Sequence, residues 1–209
     1  MAYAESDLAR PREVYDHIRE DADMTSPAAD RLITGDELAR MGDIGRCELV
    51  DGRIVRMSPT NYHHGQIEVN FAAALKAWVK VHGRGRVLGG EVGIYTRFNP
   101  DRVRGADAVW ISEERFARRT VKRAFLDVAP ELVVEVLSPD DPKDREIRQK
   151  IEEYFAIGVL LVWTADRDEH VIRAYRSLTD VRVFGEADRL SGDDVLPGFD
   201  VRVAELLEE

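Results

Sequence analysis

A single charged residue inside an apolar run places the tightest constraint on this chain. Residues 132–137, LVVEVL, form a strand-length run of apolar and mostly β-branched side chains. Glu135 sits inside it, and a carboxylate there is costly to bury unless something pairs with it. Ser138-Pro139 ends the strand, because proline cannot donate to a ladder. A helix is predicted next, with Ile147, Ile151, Tyr154 and Phe155 on one apolar stripe. Lys150 falls on the edge of that stripe and leans toward the sheet. The unit therefore brings a strand carboxylate and a helix lysine into one neighbourhood. A buried Glu–Lys ion pair would account for both without any chemistry.

The 209 residues suit one domain with an appendage. We expect an acidic N-terminal arm over residues 1–30 and a single domain over 31–209. Cys47 is the one cysteine, so neither a disulfide framework nor a cysteine-built zinc site fits, and a reducing cytoplasm does. The N-terminus has no apolar signal-peptide core, and no run of 18 apolar residues occurs, so no membrane partner is expected.

The net charge of −10 disfavours nucleic acid at first sight, but it is unevenly placed. Residues 1–30 hold eight acids against three bases, and residues 186–209 hold eight against two. Residues 76–123 instead carry twelve Lys/Arg and five Asp/Glu. A local basic surface matters more for phosphate than the total does. Arg115, Arg118, Arg119 and Lys122 are the candidates for nucleic-acid contact, expected on one face beside the carboxylates. A solvated basic face explains them equally.

Taken in order, Thr34 and Glu37 look like a helix start with a capping box. CELVDGRIVRM at 47–57 reads as a hairpin about Asp51-Gly52, with Glu48 on its first strand as an ordinary solvent-facing residue. His63-His64 opens a helix to about residue 82, with Ile67, Phe71, Leu75 and Trp78 on its buried stripe. His64 and Glu68 share one edge of it. Residues 83–90 read as a glycine- and arginine-rich turn that lacks the phosphate-loop pattern. Strands are predicted at 91–98, 104–111 (carrying Asp107), 131–137 and 159–164. Residues 112–130 read as a basic connection. Strands at 170–176 and 180–184 form a further hairpin, and Val203 to Leu207 a short terminal helix.

The core order is thus helix, three strands, helix, strand, with Asp107 and Glu135 on successive strands and Lys150 on the next helix. This order and these residues resemble the PD-(D/E)XK nuclease superfamily. More closely, the chain is similar to the Uma-type restriction endonuclease family. The matching stretches are 48–67 (ELVDGRIVRMSPTNYHHGQI), the Asp107 strand, 129–141 (APELVVEVLSPDD), Asp144 with Lys150 and Tyr154, 158–163 (GVLLVW), and LPGFDVRVAELL near the C-terminus. Two positions depart: Ala106 stands where the family has proline, and Leu137 stands where the superfamily lysine follows the strand glutamate.

The resemblance implies an α/β (α+β) restriction endonuclease-like fold, a central mixed sheet flanked by helices with additional hairpins. It implies a Mg²⁺- or Mn²⁺-dependent endonuclease acting on nucleic acid, double-stranded DNA foremost, and by analogy a homodimer. Asp107, Glu135 and the Val136 backbone carbonyl would be the metal ligands. Lys150 takes the lysine role, orienting or deprotonating the water or steadying the phosphate. Glu91, ahead of Glu68, would supply a further acid. His64 and Glu48 match recurrent family positions. Phosphodiester hydrolysis needs charge neutralised on an oxygen-rich transition state and an activated water, and carboxylate-held Mg²⁺ serves both. Without a cation, Asp107 and Glu135 would repel, which raises at least one proton affinity. A catalytically silent DNA-binding or interaction module, or a nuclease for RNA, fits the same scaffold.

Overall fold

The computed structural model describes residues 31–137 and 143–208. The expected acidic arm and the Ser138-Pro139 turn lie outside the described residues. Helix α1 (Gly35–Arg40) starts at the capping box read from the sequence: Thr34 accepts from the Glu37 amide while Glu37 reaches back to the Thr34 amide. Strands β1 (Cys47–Val50) and β2 (Arg53–Arg56) pair about Asp51 and Gly52, both at positive φ, as an Asp-Gly turn requires.

Helix α2 (Tyr62–His82) is capped by Asn61, whose side chain accepts from the His64 amide, and ends at left-handed Gly83. Its stripe of Ile67, Phe71, Leu75 and Trp78 is buried against Ala108, Trp110, Leu132, Val134 and Trp163. Each such side chain contributes about 1.5–3 kcal/mol on burial. Strand β3 (Arg86–Arg97) begins within the segment read as a turn. The glycines there did not break the strand, because a bulge at Gly90 and Glu91 absorbs their irregularity. Strand β4 (Arg102–Ile111) follows, and α3 (Glu113–Ala117) supplies one short helix within the basic connection.

Strand β5 (Leu132–Leu137), helix α4 (Lys143–Ile157) and strand β6 (Leu161–Asp166) fall where the periodicity placed them. Ile151 and Tyr154 of α4 pack on Val109, Val133 and Val162, the sheet face opposite α2. Strands β7 (Val171–Tyr175) and β8 (Val181–Gly185) extend the sheet. Strands β9 (Arg189–Gly192) and β10 (Leu196–Arg202) pair separately, and α5 (Val203–Leu207) docks on α2. Among the described residues, eight strands form one sheet in the order β2-β1-β4-β5-β6-β7-β8, with β3 on β4. Only the β5–β6 pair is parallel, so the sheet is mixed and mostly antiparallel.

Candidate active site

The site lies at a fork in the sheet. One edge of β4 is covered by β3 along its length. The other edge is shared: β5 pairs with residues Ala108 to Trp110, and β1 pairs at Val103. Between them the ladder is interrupted, leaving backbone groups whose burial without partners would cost about 1–3 kcal/mol each. Side chains take those places. Glu48 accepts from the Gly105 N–H at 3.0 Å, Lys150 donates to the Gly105 carbonyl at 2.7 Å, and Asp107 accepts from the Val136 N–H at 2.6 Å.

Glu135 is 5% exposed, and its burial is answered by two donors from α4. Lys150 Nζ donates to Oε2 at 2.8 Å and the Tyr154 hydroxyl to Oε1 at 2.7 Å. The predicted Glu–Lys pair is therefore present. It has a third member, because Lys150 also meets Glu48 at 3.2 Å. Glu48 is buried, not solvent-facing: the fork turns its strand position inward, and Arg104 donates to its other oxygen at 2.7 Å.

Asp107, 3% exposed, is approached from the α2 side. His64 Nε2 lies 2.9 Å from Oδ1. His64, Glu68 and Asp107 each offer a ligand atom, all within 4.8 Å of one another. The β3 bulge brings two more groups. Gly90 donates its N–H to Glu68 at 2.7 Å, and Glu91, at φ 61°, pairs with Arg46. The Glu91 carboxylate occupies the space over Gly105: a Cβ there would stand 2.6 Å from Oε2, so a larger residue at 105 would displace that carboxylate.

Five carboxylates thus crowd one fork, and their proton affinities divide. Burial works against the Asp107 anion, but His64 and the Val136 N–H outweigh it and hold its carboxyl below the usual range. Burial likewise opposes the Glu48 anion and is outweighed by Lys150 and Arg104. Glu135 takes the opposite sign: burial, with Asp107 adding to it against the pull of Lys150, pushes it up to about 7. Burial, with Asp107 adding to it, also raises Glu68 and Glu91. The expected repulsion therefore falls on Glu135 and not on Asp107. Burial disfavours the Lys150 cation, yet Glu135 and Glu48 prevail and keep its proton bound more tightly than usual. His64 is raised as well, its bond to Asp107 outweighing burial.

The candidates for nucleic-acid contact are not brought here. Arg115 donates to the carbonyls of Ala129, Pro130 and Gly158 and pairs with Glu131, all at the start of β5, the end away from the fork. Arg118 pairs with Glu114, and Arg119 stacks on Phe116. Lys122 is exposed on the connection that follows α3. Residues 76–123 do not form one basic face: Arg97, Arg102 and Arg104 lie at the fork end of β4, whereas Arg86, Arg115, Arg118 and Arg119 lie at the other. Sequence reasoning assigned no site role to Arg46, Arg104 or Glu153 and read Tyr154 as apolar stripe. An arginine within the apolar β4 run was the available signal for Arg104.

A family model described as "Uma2: Putative restriction endonuclease" matches residues 36–204. The chain belongs to the Uma2 family. Its fold is similar to that of a crystal structure from Anabaena variabilis titled a putative nuclease belonging to DUF820. The two share 20% sequence identity at a TM-score of 0.70, over 84% of this chain and 97% of the other. No curated protein matches the sequence. Uma2 membership and the nuclease-like fold agree with the resemblance carried by Asp107, Glu135 and Lys150. No helix among the described residues is long and apolar enough to cross a membrane.

Proposed function

We propose that this Uma2 chain is a divalent-metal-dependent nuclease that hydrolyses phosphodiester bonds in DNA. The observation that carries the reading is the fork, which sets Asp107 and Glu135 on adjoining strands with a lysine held against one and a histidine against the other. The donor set fits a hard cation: carboxylate oxygens of Asp107 and Glu135, with the Val136 carbonyl and Glu68 or Glu91 as further oxygen ligands. Burial, with Asp107 adding to it, raises the proton affinities of Glu135, Glu68 and Glu91, and a bound cation would favour their anions. Mg²⁺ or Mn²⁺, when bound, neutralises phosphate charge and activates water.

The chain's own groups do the rest. The Val136 N–H and His64 fix the orientation of Asp107, and Tyr154 fixes that of Glu135. Lys150, locked as an ammonium by its acceptors, suits stabilising phosphate charge better than removing a proton from water. The DNA assignment rests on the family description.

The test is cleavage of duplex DNA in Mg²⁺ or Mn²⁺, beside melting curves with and without the ion. Cleavage lost in Asp107→Asn, together with the ion's stabilisation of the fold, is expected. A wild type that neither cuts DNA nor shifts its melting temperature in millimolar Mn²⁺ would overturn the reading.

A further inference from the structure

A lysine on the strand itself would be placed by the sheet. Here Leu137 occupies that strand position, and Lys150 comes from α4. Its reach depends on how α4 is held over β4, and a closed circuit of charge does the holding. Lys150 meets Glu48, and Arg104 donates to the other Glu48 oxygen. Arg104 also grips Glu153 with two nitrogens, at 2.7 and 3.0 Å. Glu153 stands three residues after Lys150, on the same helical edge. The circuit from Lys150 through Glu48, Arg104 and Glu153 back to α4 encloses Gly105, whose N–H and carbonyl are held by Glu48 and Lys150.

Every side chain in the circuit is shielded: Glu48 is 6% exposed, Glu153 11%, Arg104 12% and Lys150 16%. Shielded ion pairs are geometrically demanding, which suits them to specifying position. Arg102 and Gln149 hold Glu153 from its sides, and Arg102 runs on to Asp51 at the β1–β2 turn. The brace therefore ties α4 to both β4 and the hairpin that carries Glu48.

We propose that Arg104 and Glu153 are positioning residues that set Lys150 in register with Glu135. Neither has a hydrogen bond or ion pair with Asp107 or Glu135 among the described residues, so they act through Glu48 and α4. The inference rests on the nuclease reading for the use made of Lys150, but the brace itself is testable without cleavage.

The experiment compares wild type, Arg104→Met, Arg104→Lys and Glu153→Gln. The first readout is acylation of Lys150 by an amine-reactive ester in full-length protein, followed by peptide mass mapping. Lys150 reactivity is expected to rise severalfold in Arg104→Met and Glu153→Gln, with Lys76, Lys80 and Lys122 unchanged. The second readout is steady-state cleavage in Mn²⁺. A kcat loss of about 100-fold is expected, as for an ångström-scale misplacement, with KM little changed and the Mn²⁺ melting shift retained. Arg104→Lys should recover part of both readouts, because it restores the charge without the fork. Glu153→Gln preserves side-chain shape and serves if Arg104→Met does not fold. Unchanged Lys150 reactivity in the folded variants overturns the proposal, as does a kcat loss accompanied by loss of the Mn²⁺ shift. A wild type without cleavage whose Lys150 is nonetheless exposed by these variants would sink the nuclease reading and leave the brace standing.

Discussion

Two buried glutamates of the β5 segment each face a cation. Glu131, just before the strand, pairs with Arg115 and accepts from the Ser112 N–H at 2.9 Å. Glu135, within the strand, pairs with Lys150 and accepts from Tyr154. Arg115 spends its remaining capacity on three carbonyls, which ties the start of β5 to the α4–β6 connection. Lys150 spends its capacity on a second carboxylate and the Gly105 carbonyl. The difference lies in what stands nearby. Asp107 is close enough to raise Glu135, and Glu68 and Glu91 feel it too. A buried Glu–cation pair is by itself structural. Surplus like charge around such a pair distinguishes a site, because folding alone gives no reason to collect it.

Four predictions test that contrast, from the largest expected effect to the smallest. Asp107→Asn or Glu135→Gln should reduce DNA cleavage about a thousandfold or more, whereas Glu131→Gln should leave the rate per folded molecule near wild type. Initial rates at matched folded concentration decide this, and equal losses at both ends of β5 would erase the distinction.

Next, Lys150→Met and Arg115→Met should each lower stability in metal-free buffer by about 3 kcal/mol, the cost of stranding a buried carboxylate. Mn²⁺ should recover much of the loss for Lys150→Met and none for Arg115→Met. Denaturant titrations with and without the ion make the comparison.

The pH dependence is smaller. Glu135 binds its proton more tightly in the folded state, at about 7 against an ordinary 4.5. Its contribution is therefore full below the ordinary value and is lost as pH rises through the folded one. Metal-free stability should fall by about 2 kcal/mol between about pH 5 and about pH 8, with His64, also raised, adding in the same direction. The Mn²⁺ melting shift should grow over the same interval, because the ion needs the carboxylate. Glu135→Gln should flatten the metal-free slope; a slope unchanged in that variant would place the titrating group elsewhere.

The smallest effect concerns the basic connection. Arg118 and Arg119 are already engaged by Glu114 and Phe116, at the end of β4 away from the fork. Their joint replacement by alanine should change the slope of DNA affinity against salt by less than about one unit. A drop of about two units, one per arginine, would mean that DNA reaches across α3 after all.

Much of this was legible in the one-dimensional pattern. Periodicities of two and 3.6 are local properties, so β5, α4, β6 and the buried stripe of α2 could be read directly. A carboxylate in an apolar run is conspicuous for the same reason, which exposed Glu135, Asp107 and the lysine that follows. Glu48 was misjudged because its surroundings depend on which strand lies beside β1. Tyr154 read as apolar because a ring on a buried stripe says nothing of where its hydroxyl ends. The glycine-rich start of β3 read as a turn because bulge geometry is set by the partner strand.

The sequence by itself determined the core elements, their order and the three residues on which the family resemblance turns. Only the tertiary structure decided where the sheet divides, and that division created the site. The contacts that close the fork join residues 57, 45 and 29 positions apart, separations at which local pattern carries no information. The same distance argument governs charge. A sum over residues 76–123 cannot register that Arg104 serves the fork while Arg115 serves the other end of β5, because partners are assigned by strand pairing and not by proximity along the chain.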